Sequence, residues 1–357
     1  MSTINKNMSI KKIFAIYIKT RLVLLTLMIF ASFILPSTSA LYKTIFELFD
    51  NEHYLNIAKN AYQFNYQYAF FPLTAILIKI LSPPGFIIIN QLFVFLTGYL
   101  LYLLSKNIFQ AKNPYFASLL WLVSPISVFT GLFYSEALFV FLTLLAYYLY
   151  KNKKHYFALG VILGLSTLTR SLGSMLFTTI FIFMVLNMFK KKEKFKNILI
   201  TYIPATIISC LYPIYLFVKI GNPLYFVSVQ FDYWSRISTN VFTIFFDSFK
   251  VLLKIPNLFY IFNFGLTFIL IGYIIYSIIK HRRNKNYYDL YLYITLTIIS
   301  ICSTIRGTGD PTTSFYRYLY GCFPIYFILP QNKPCLYTHI ILSTFITISF
   351  LLGLYFF

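Results

Sequence analysis

Acidic side chains are what this sequence has least of: 9 Asp and Glu stand among 357 residues, against 30 Lys and Arg, and charged residues of both signs make up only 11%. A soluble globular domain carries roughly 25% charged residues and about 45–50% apolar ones, so a water-facing surface of ordinary size cannot be assembled from this chain. Four cysteines (Cys210, Cys302, Cys322 and Cys335) lie in or beside apolar stretches with no close pairing, which indicates neither a disulfide framework nor a zinc knuckle. The chain has no internal repeat, low-complexity tail or soluble linker. What is abundant is apolar: 59% hydrophobic, 21% aromatic, mean hydropathy +0.73. The composition is that of an integral membrane protein.

A crossing helix needs roughly 20 apolar residues to traverse about 30 Å of hydrocarbon. Such runs recur near 14–35, 85–105, 114–131, 134–150, 156–170, 173–189, 197–218, 258–280, 288–305, 315–330 and 335–357. The expectation is an all-α polytopic membrane protein, a bundle of about eleven transmembrane helices forming one domain over 1–357. The first run is read as an uncleaved span rather than a signal peptide cut near Ser37–Ala40. With the basic N-terminus in the cytoplasm, most Lys and Arg fall in cytoplasmic connections: Lys6, Lys11, Lys12, Lys19 and Arg21, then Lys106 and Lys112, Lys151 to Lys154, Lys190 to Lys196, Lys280 to Lys285, and Lys333. That is the positive-inside pattern, and it accounts for the net charge of +21 without nucleic acid. Every acid except Glu193 and Asp289 falls on the outer side.

Two outer segments are too long for turns. The first, about 36–85, carries Glu47, Asp50 and Glu52, then Tyr54, Leu55, Ile57, Ala58, Ala61 and Tyr62 at a spacing suited to a helix in the interface plane. The apolar piece that follows, ending at Leu81 before Pro83-Pro84-Gly85, is too short to span and reads as a re-entrant or surface helix. The second segment, about 219–257, holds FDYWSR and VFTIFFDSFKVLLKI, again interfacial.

Ionisable groups at the membrane are costly and default to functional candidates. Topology places Asp50, Glu52 and His53 on the same side as Glu136, Arg170, Asp232, Arg236, Arg306, Asp310 and Arg317. Carboxylates beside several arginines at the lipid boundary suit displacement of a phosphate leaving group from a lipid-carried sugar. A carboxylate takes the proton of an attacking hydroxyl while arginines hold the phosphate. Asp50 is the candidate base, Glu52 a second carboxylate, and His53 a hydrogen-bonding partner to Asp50 or to phosphate. Arg170 and Arg317 are the leading phosphate candidates, with Glu136, Arg306, Trp234 and Arg236 as further substrate contacts. Asp50-Asn51-Glu52 also has the form of a D-x-E ligand pair for Mg²⁺ or Mn²⁺, although two carboxylates in a loop do not make a metal site, and no resident cofactor is expected.

The same residues resemble a known family. DNEHY at Asp50–Tyr54, IAKNAY, and FFP at Phe70–Pro72 are similar to the first-loop pattern of the class V GPI mannosyltransferases and their bacterial relatives. SPISVFTGLFYSEALF, TLTRSLG and FYRYLYGCFPIY resemble later elements of that family in the same order, over roughly Phe46 to Tyr326. Phe49 stands where that family has Trp, Asn60-Ala61-Tyr62 lacks its Gly, and Thr74 interrupts its second proline element. The resemblance implies a GT-C fold, an outward catalytic first loop, and inverting transfer of a hexose, mannose in that family, from a polyprenyl-phosphate donor. The acceptor would be a hydroxyl of a glycolipid, glycan or protein at the cell membrane. A lipid-linked-oligosaccharide flippase or polysaccharide export protein is the rival reading, and a catalytically silent subunit a third. Transporters tend to carry inverted repeats and midplane charges.

Overall fold

The computed structural model describes residues 2–34, 50–254, 257–307 and 310–352; Glu47 and Phe49, both in the expected first outer loop, lie outside them. In chain order the helices are α1 (Ser2–Ile34), α2 (Asp50–Asn60), α3 (Pro72–Asn107), α4 (Phe116–Leu122), α5 (Glu136–Asn152), α6 (Tyr156–Thr169), α7 (Gly173–Phe189) and α8 (Phe195–Ile220). After them come α9 (Tyr225–Asp232), strand β1 (Arg236–Ser238), α10 (Val241–Lys254), α11 (Leu258–Lys280), α12 (Tyr288–Ile301), strand β2 (Thr304–Arg306), α13 (Phe315–Tyr320), α14 (Ile325–Ile328) and α15 (Lys333–Leu351). Helices prevail because, in hydrocarbon, each backbone N–H and C=O must find its partner within the segment. Among the described residues five helices are long and apolar enough to cross a membrane: Ile10–Phe30 within α1, then α3, α8, α11 and α15. The protein is an all-α multi-pass membrane protein.

Two expected spans are not continuous helices. The run 114–131 is helical only as α4, then proceeds through turns around Pro125 to a short 3-10 segment, Phe129–Gly131. The run 315–330 divides into α13 and α14 across the Gly321–Pro324 turn. Hydropathy registers the length of an apolar run but not whether its hydrogen-bond ladder is unbroken. The broken pieces are buried in the bundle, where protein groups can satisfy the freed backbone.

Within α3 the backbone breaks at Ser82 (φ 63, ψ 160), so the piece 72–81 is a separate helix joined through a kink. The cause is local: Pro83 excludes its predecessor from the helical region, and Pro83-Pro84 suit the first turn of the helix that follows. The tightest helix pair is α6 with α8. A Cβ at Gly160 would overlap the Thr201 carbonyl oxygen, and one at Gly164 would lie 2.6 Å from Ile208 Cβ. Gly160 and Gly164, four residues apart on one face, allow the two backbones this approach.

Residues assigned to the same side of the membrane meet one another. At one end Lys151 pairs with Asp289 at 2.5 Å, Tyr156 donates to Glu193 at 3.0 Å, and Phe109 packs against Tyr287 and Phe327. At the other, the first and second long connections are joined by Asn65 to Tyr233 and Trp234 to Tyr66.

Arg21 requires a correction. It does not lie in a cytoplasmic connection but midway along the membrane-crossing stretch of α1. There its guanidinium stands 3.4 Å from the Ser127 carbonyl oxygen and 3.3 Å from Thr130 Oγ1. It is a donor to the turn that replaces the missing helix of 123–131.

Candidate active site

Glu136 is the first residue of α5, where the unpaired N–H groups of a helix favour a carboxylate, and it is 1% exposed. Arg170 lies just past the end of α6; its backbone turns extended (φ −156, ψ 146) and its carbonyl accepts the Gly173 N–H at 2.9 Å. This tight turn directs Arg170 Nη1 to Glu136 Oε1 at 2.6 Å and to Ser135 Oγ at 3.3 Å. Arg317, in the first turn of α13, brings Nε to the same Glu136 oxygen at 2.5 Å and Nη2 to Asp50 Oδ2. Its guanidinium is enclosed by Phe129 and Tyr134, 5.0 and 4.7 Å from the ring centres. Four segments distant in sequence thus contribute one ion network.

Two acids and two arginines make this quartet electrically neutral. Removing a charge from water costs several kcal/mol, so a network this buried is stable only when each charge is matched. Exposure within it is graded: the side chains of Glu136 and Arg317 are 1% and 5% exposed, that of Arg170 16%, and that of Asp50 26%. Asp50 is the carboxylate a solute can reach.

The helix α2 that begins with Asp50 is seated by its other side. Tyr54, Ile57 and Ala58, one stripe of the helix, pack against Phe70, Ala75, Ile78, Phe86 and Phe133, while the buried Asn51 accepts the Phe133 N–H at 3.1 Å. The apolar face expected to lie in the interface plane is therefore covered by protein. Glu52 is exposed, and as the second residue after Asp50 on a helix it faces a different direction. The D-x-E pair consequently does not converge on a single point. His53, one turn from Asp50, contacts rings rather than Asp50: Phe70 at 4.7 Å, Tyr66 at 5.5 Å and Trp234 at 5.7 Å. Burial lowers the His53 imidazole below its ordinary pKa, against the opposing pull of Asp50 and Glu52.

Of the remaining expected site residues, Trp234 anchors the second long connection to the first by donating its indole N–H to the Tyr66 carbonyl at 3.1 Å. Arg236 and Arg306 are not in the quartet; they face each other across the two-stranded ribbon of β1 and β2. Asp232 is exposed at the end of α9. Asp310 has a shaping role, accepting from Thr312 N and Oγ1 at 2.8 Å each and from Asn263 Nδ2 at 2.7 Å, which fixes the loop leading into α13. Sequence reasoning missed Asn51, Phe129 and Tyr134. Tyr134 was signalled by its place in FYSE beside Glu136; nothing in the sequence marks Phe129 among 41 phenylalanines.

Residues 70–217 match the model of the dolichyl-phosphate-mannose-protein mannosyltransferase family. The matched stretch includes Glu136 and Arg170; Asp50 precedes it and Arg317 follows it. No curated protein matches the chain. Together with the membrane-crossing helices, the match supports a multi-pass GT-C glycosyltransferase related to the mannosyltransferases.

Proposed function

We propose that the protein is an inverting hexosyltransferase, with mannose the favoured sugar, that takes its hexose from a polyprenyl-phosphate carrier and works on the outer face of the cell membrane. The observation that carries this reading is the gradation from the sealed Glu136–Arg317 pair to the partly open Asp50. Arg317 holds one Asp50 oxygen and leaves Oδ1 for an acceptor hydroxyl. As the acceptor oxygen attacks the anomeric carbon from the face opposite the phosphate, its proton passes to Asp50. The bond from that carbon to the phosphate oxygen breaks, and its electron pair leaves with polyprenyl phosphate. Glu136 and Arg170 keep Arg317 in place, while the rings around His53 offer a flat surface beside the reacting sugar. Nucleotide sugars are cytoplasmic, so an outward site requires a lipid-borne donor; the acceptor is a hydroxyl of a glycolipid, glycan or protein.

The test is transfer of labelled hexose from polyprenyl-phosphate hexose by purified protein. Asp50→Asn keeps the shape and removes the base, and is expected to lower turnover about 10²–10⁴-fold. Wild-type turnover in that variant refutes the base assignment, and absence of transfer from any lipid-phosphate sugar refutes the enzyme reading in favour of transport.

A further inference from the structure

The quartet leaves an electrostatic question open. A phosphate diester brings a negative charge to the site, yet Arg170 and Arg317 are already matched by Glu136 and Asp50. A phosphate added to this matched set would leave the quartet with a net negative charge, which is costly where it is buried. Cations outside the quartet that form no ion pair would offset it at less cost.

The β1–β2 ribbon supplies such a pair. Arg236 and Arg306 are directly opposed Cα partners in an antiparallel register, as are Ile237 with Ile305 and Ser238 with Thr304. Opposed residues project from the same face of a ribbon, so two guanidinium-bearing side chains rise together, an arrangement that is unfavourable in itself. Among the described residues neither forms a salt bridge. Asp310, four residues beyond Arg306, lies close enough to feel the Arg306 charge but gives both oxygens to Thr312 and Asn263 and forms no ion pair with it.

The ribbon is also a built element tied to the reactive centre. Gly307 N–H donates to the Ser235 carbonyl at 2.7 Å, which ties the end of β2 to the start of β1. Ser235 takes a left-handed backbone (φ 51) directly before β1. Trp234, two residues ahead of Arg236, packs on His53 and Phe70, one helical turn from Asp50. Beyond β2, the Asp310 loop leads into α13 and Arg317.

We infer that Arg236 and Arg306 form a clamp for a lipid-borne phosphate ester. The inference rests on the function proposed above where that phosphate belongs to the sugar donor; an anionic phospholipid headgroup presents the same chemistry. Guanidinium forks match phosphate oxygens two at a time, which lysine cannot reproduce. The quartet then serves to place the base, and the ribbon to hold the leaving group.

The experiment measures binding apart from turnover, using full-length protein in nanodiscs of a neutral phospholipid. A fluorescent polyprenyl phosphate is titrated in one arm, uncharged polyprenol in a control, and phosphatidylglycerol doped into the disc in the other. Arg236→Ala/Arg306→Ala is expected to weaken polyprenyl phosphate binding by about tenfold to a hundredfold and leave polyprenol unchanged. Arg236→Lys/Arg306→Lys, which keeps charge and ribbon, is expected to recover part of the loss. If only phosphatidylglycerol binding falls, the clamp holds a headgroup. If neither arm changes in a variant with wild-type thermal stability, the clamp does not exist. Should wild type bind polyprenyl phosphate through these arginines yet transfer no sugar, the enzyme reading fails while the clamp stands.

Discussion

Glu136 Oε1 accepts from Arg317 Nε at 2.5 Å and from Arg170 Nη1 at 2.6 Å, so one oxygen atom holds two guanidinium groups. Loss of this carboxylate leaves two buried cations facing each other with Asp50 as the sole counter-charge. Glu136→Ala should therefore destabilise the protein by about 3–5 kcal/mol, and Arg317→Ala by a similar amount. Thermal unfolding in detergent tests both. A Glu136→Gln protein that melts like wild type would show that the charge does not hold these segments together.

His53 predicts a pH dependence of definite sign. Its imidazole is held below the ordinary value by burial, so under mildly acid conditions the unfolded chain binds a proton that the folded one refuses. The His53 contribution to stability is present above about pH 6.5 and is lost as pH falls through the lower folded value. His53→Phe, which preserves a ring among Phe70, Tyr66 and Trp234, should flatten the fall of Tm below that pH. Parallel wild-type and variant curves would place the acid-sensitive group elsewhere.

Gly160 and Gly164 make a sharper packing prediction. A methyl group at either position meets backbone or Cβ atoms of α8, not the end of a flexible chain. Gly160→Ala and Gly164→Ala should each cost about 1–3 kcal/mol through enforced separation of the helices. Gly265 and Gly272 face open space, so alanine at either is the matched control expected to leave Tm unchanged or raised. Equal effects at all four sites would refute the close approach.

Arg21 should behave as a structural donor. Arg21→Met keeps the length of the stem and leaves the Ser127 carbonyl with Thr130 Oγ1 as its remaining side-chain donor, at a cost of about 0.5–1.5 kcal/mol. Because the same turn carries Phe129, on which Arg317 stacks, turnover should fall alongside stability. Unchanged Tm and turnover would return Arg21 to the role of a topological charge.

The ionic centre was legible because acids are so few: with 9 in the chain, a carboxylate in an apolar run has few bland explanations. What could not be read was which arginine answers which acid. Sequence carries no distances, so the sharing of Glu136 by Arg170 and Arg317, and the reach of Arg317 to Asp50, were not visible in it. Arg21 was misplaced for a related reason, since a cation a few residues into an apolar run looks the same whether it anchors the run or reaches a broken helix beside it. The interruptions after α4 and between α13 and α14 escaped because Pro125 and Pro324 sit inside apolar and aromatic runs long enough to be read as spans.

The sharing of one carboxylate oxygen by residues 170 and 317 also has a consequence in time. Asp50, Glu136 and Arg170 emerge from the ribosome early, and Arg317 follows only after α11 and α12 have been made. Until then Glu136 has half its counter-charge and Asp50 has none from α13. A chain that has not yet reached α13 therefore lacks the residue that joins Asp50 to Glu136.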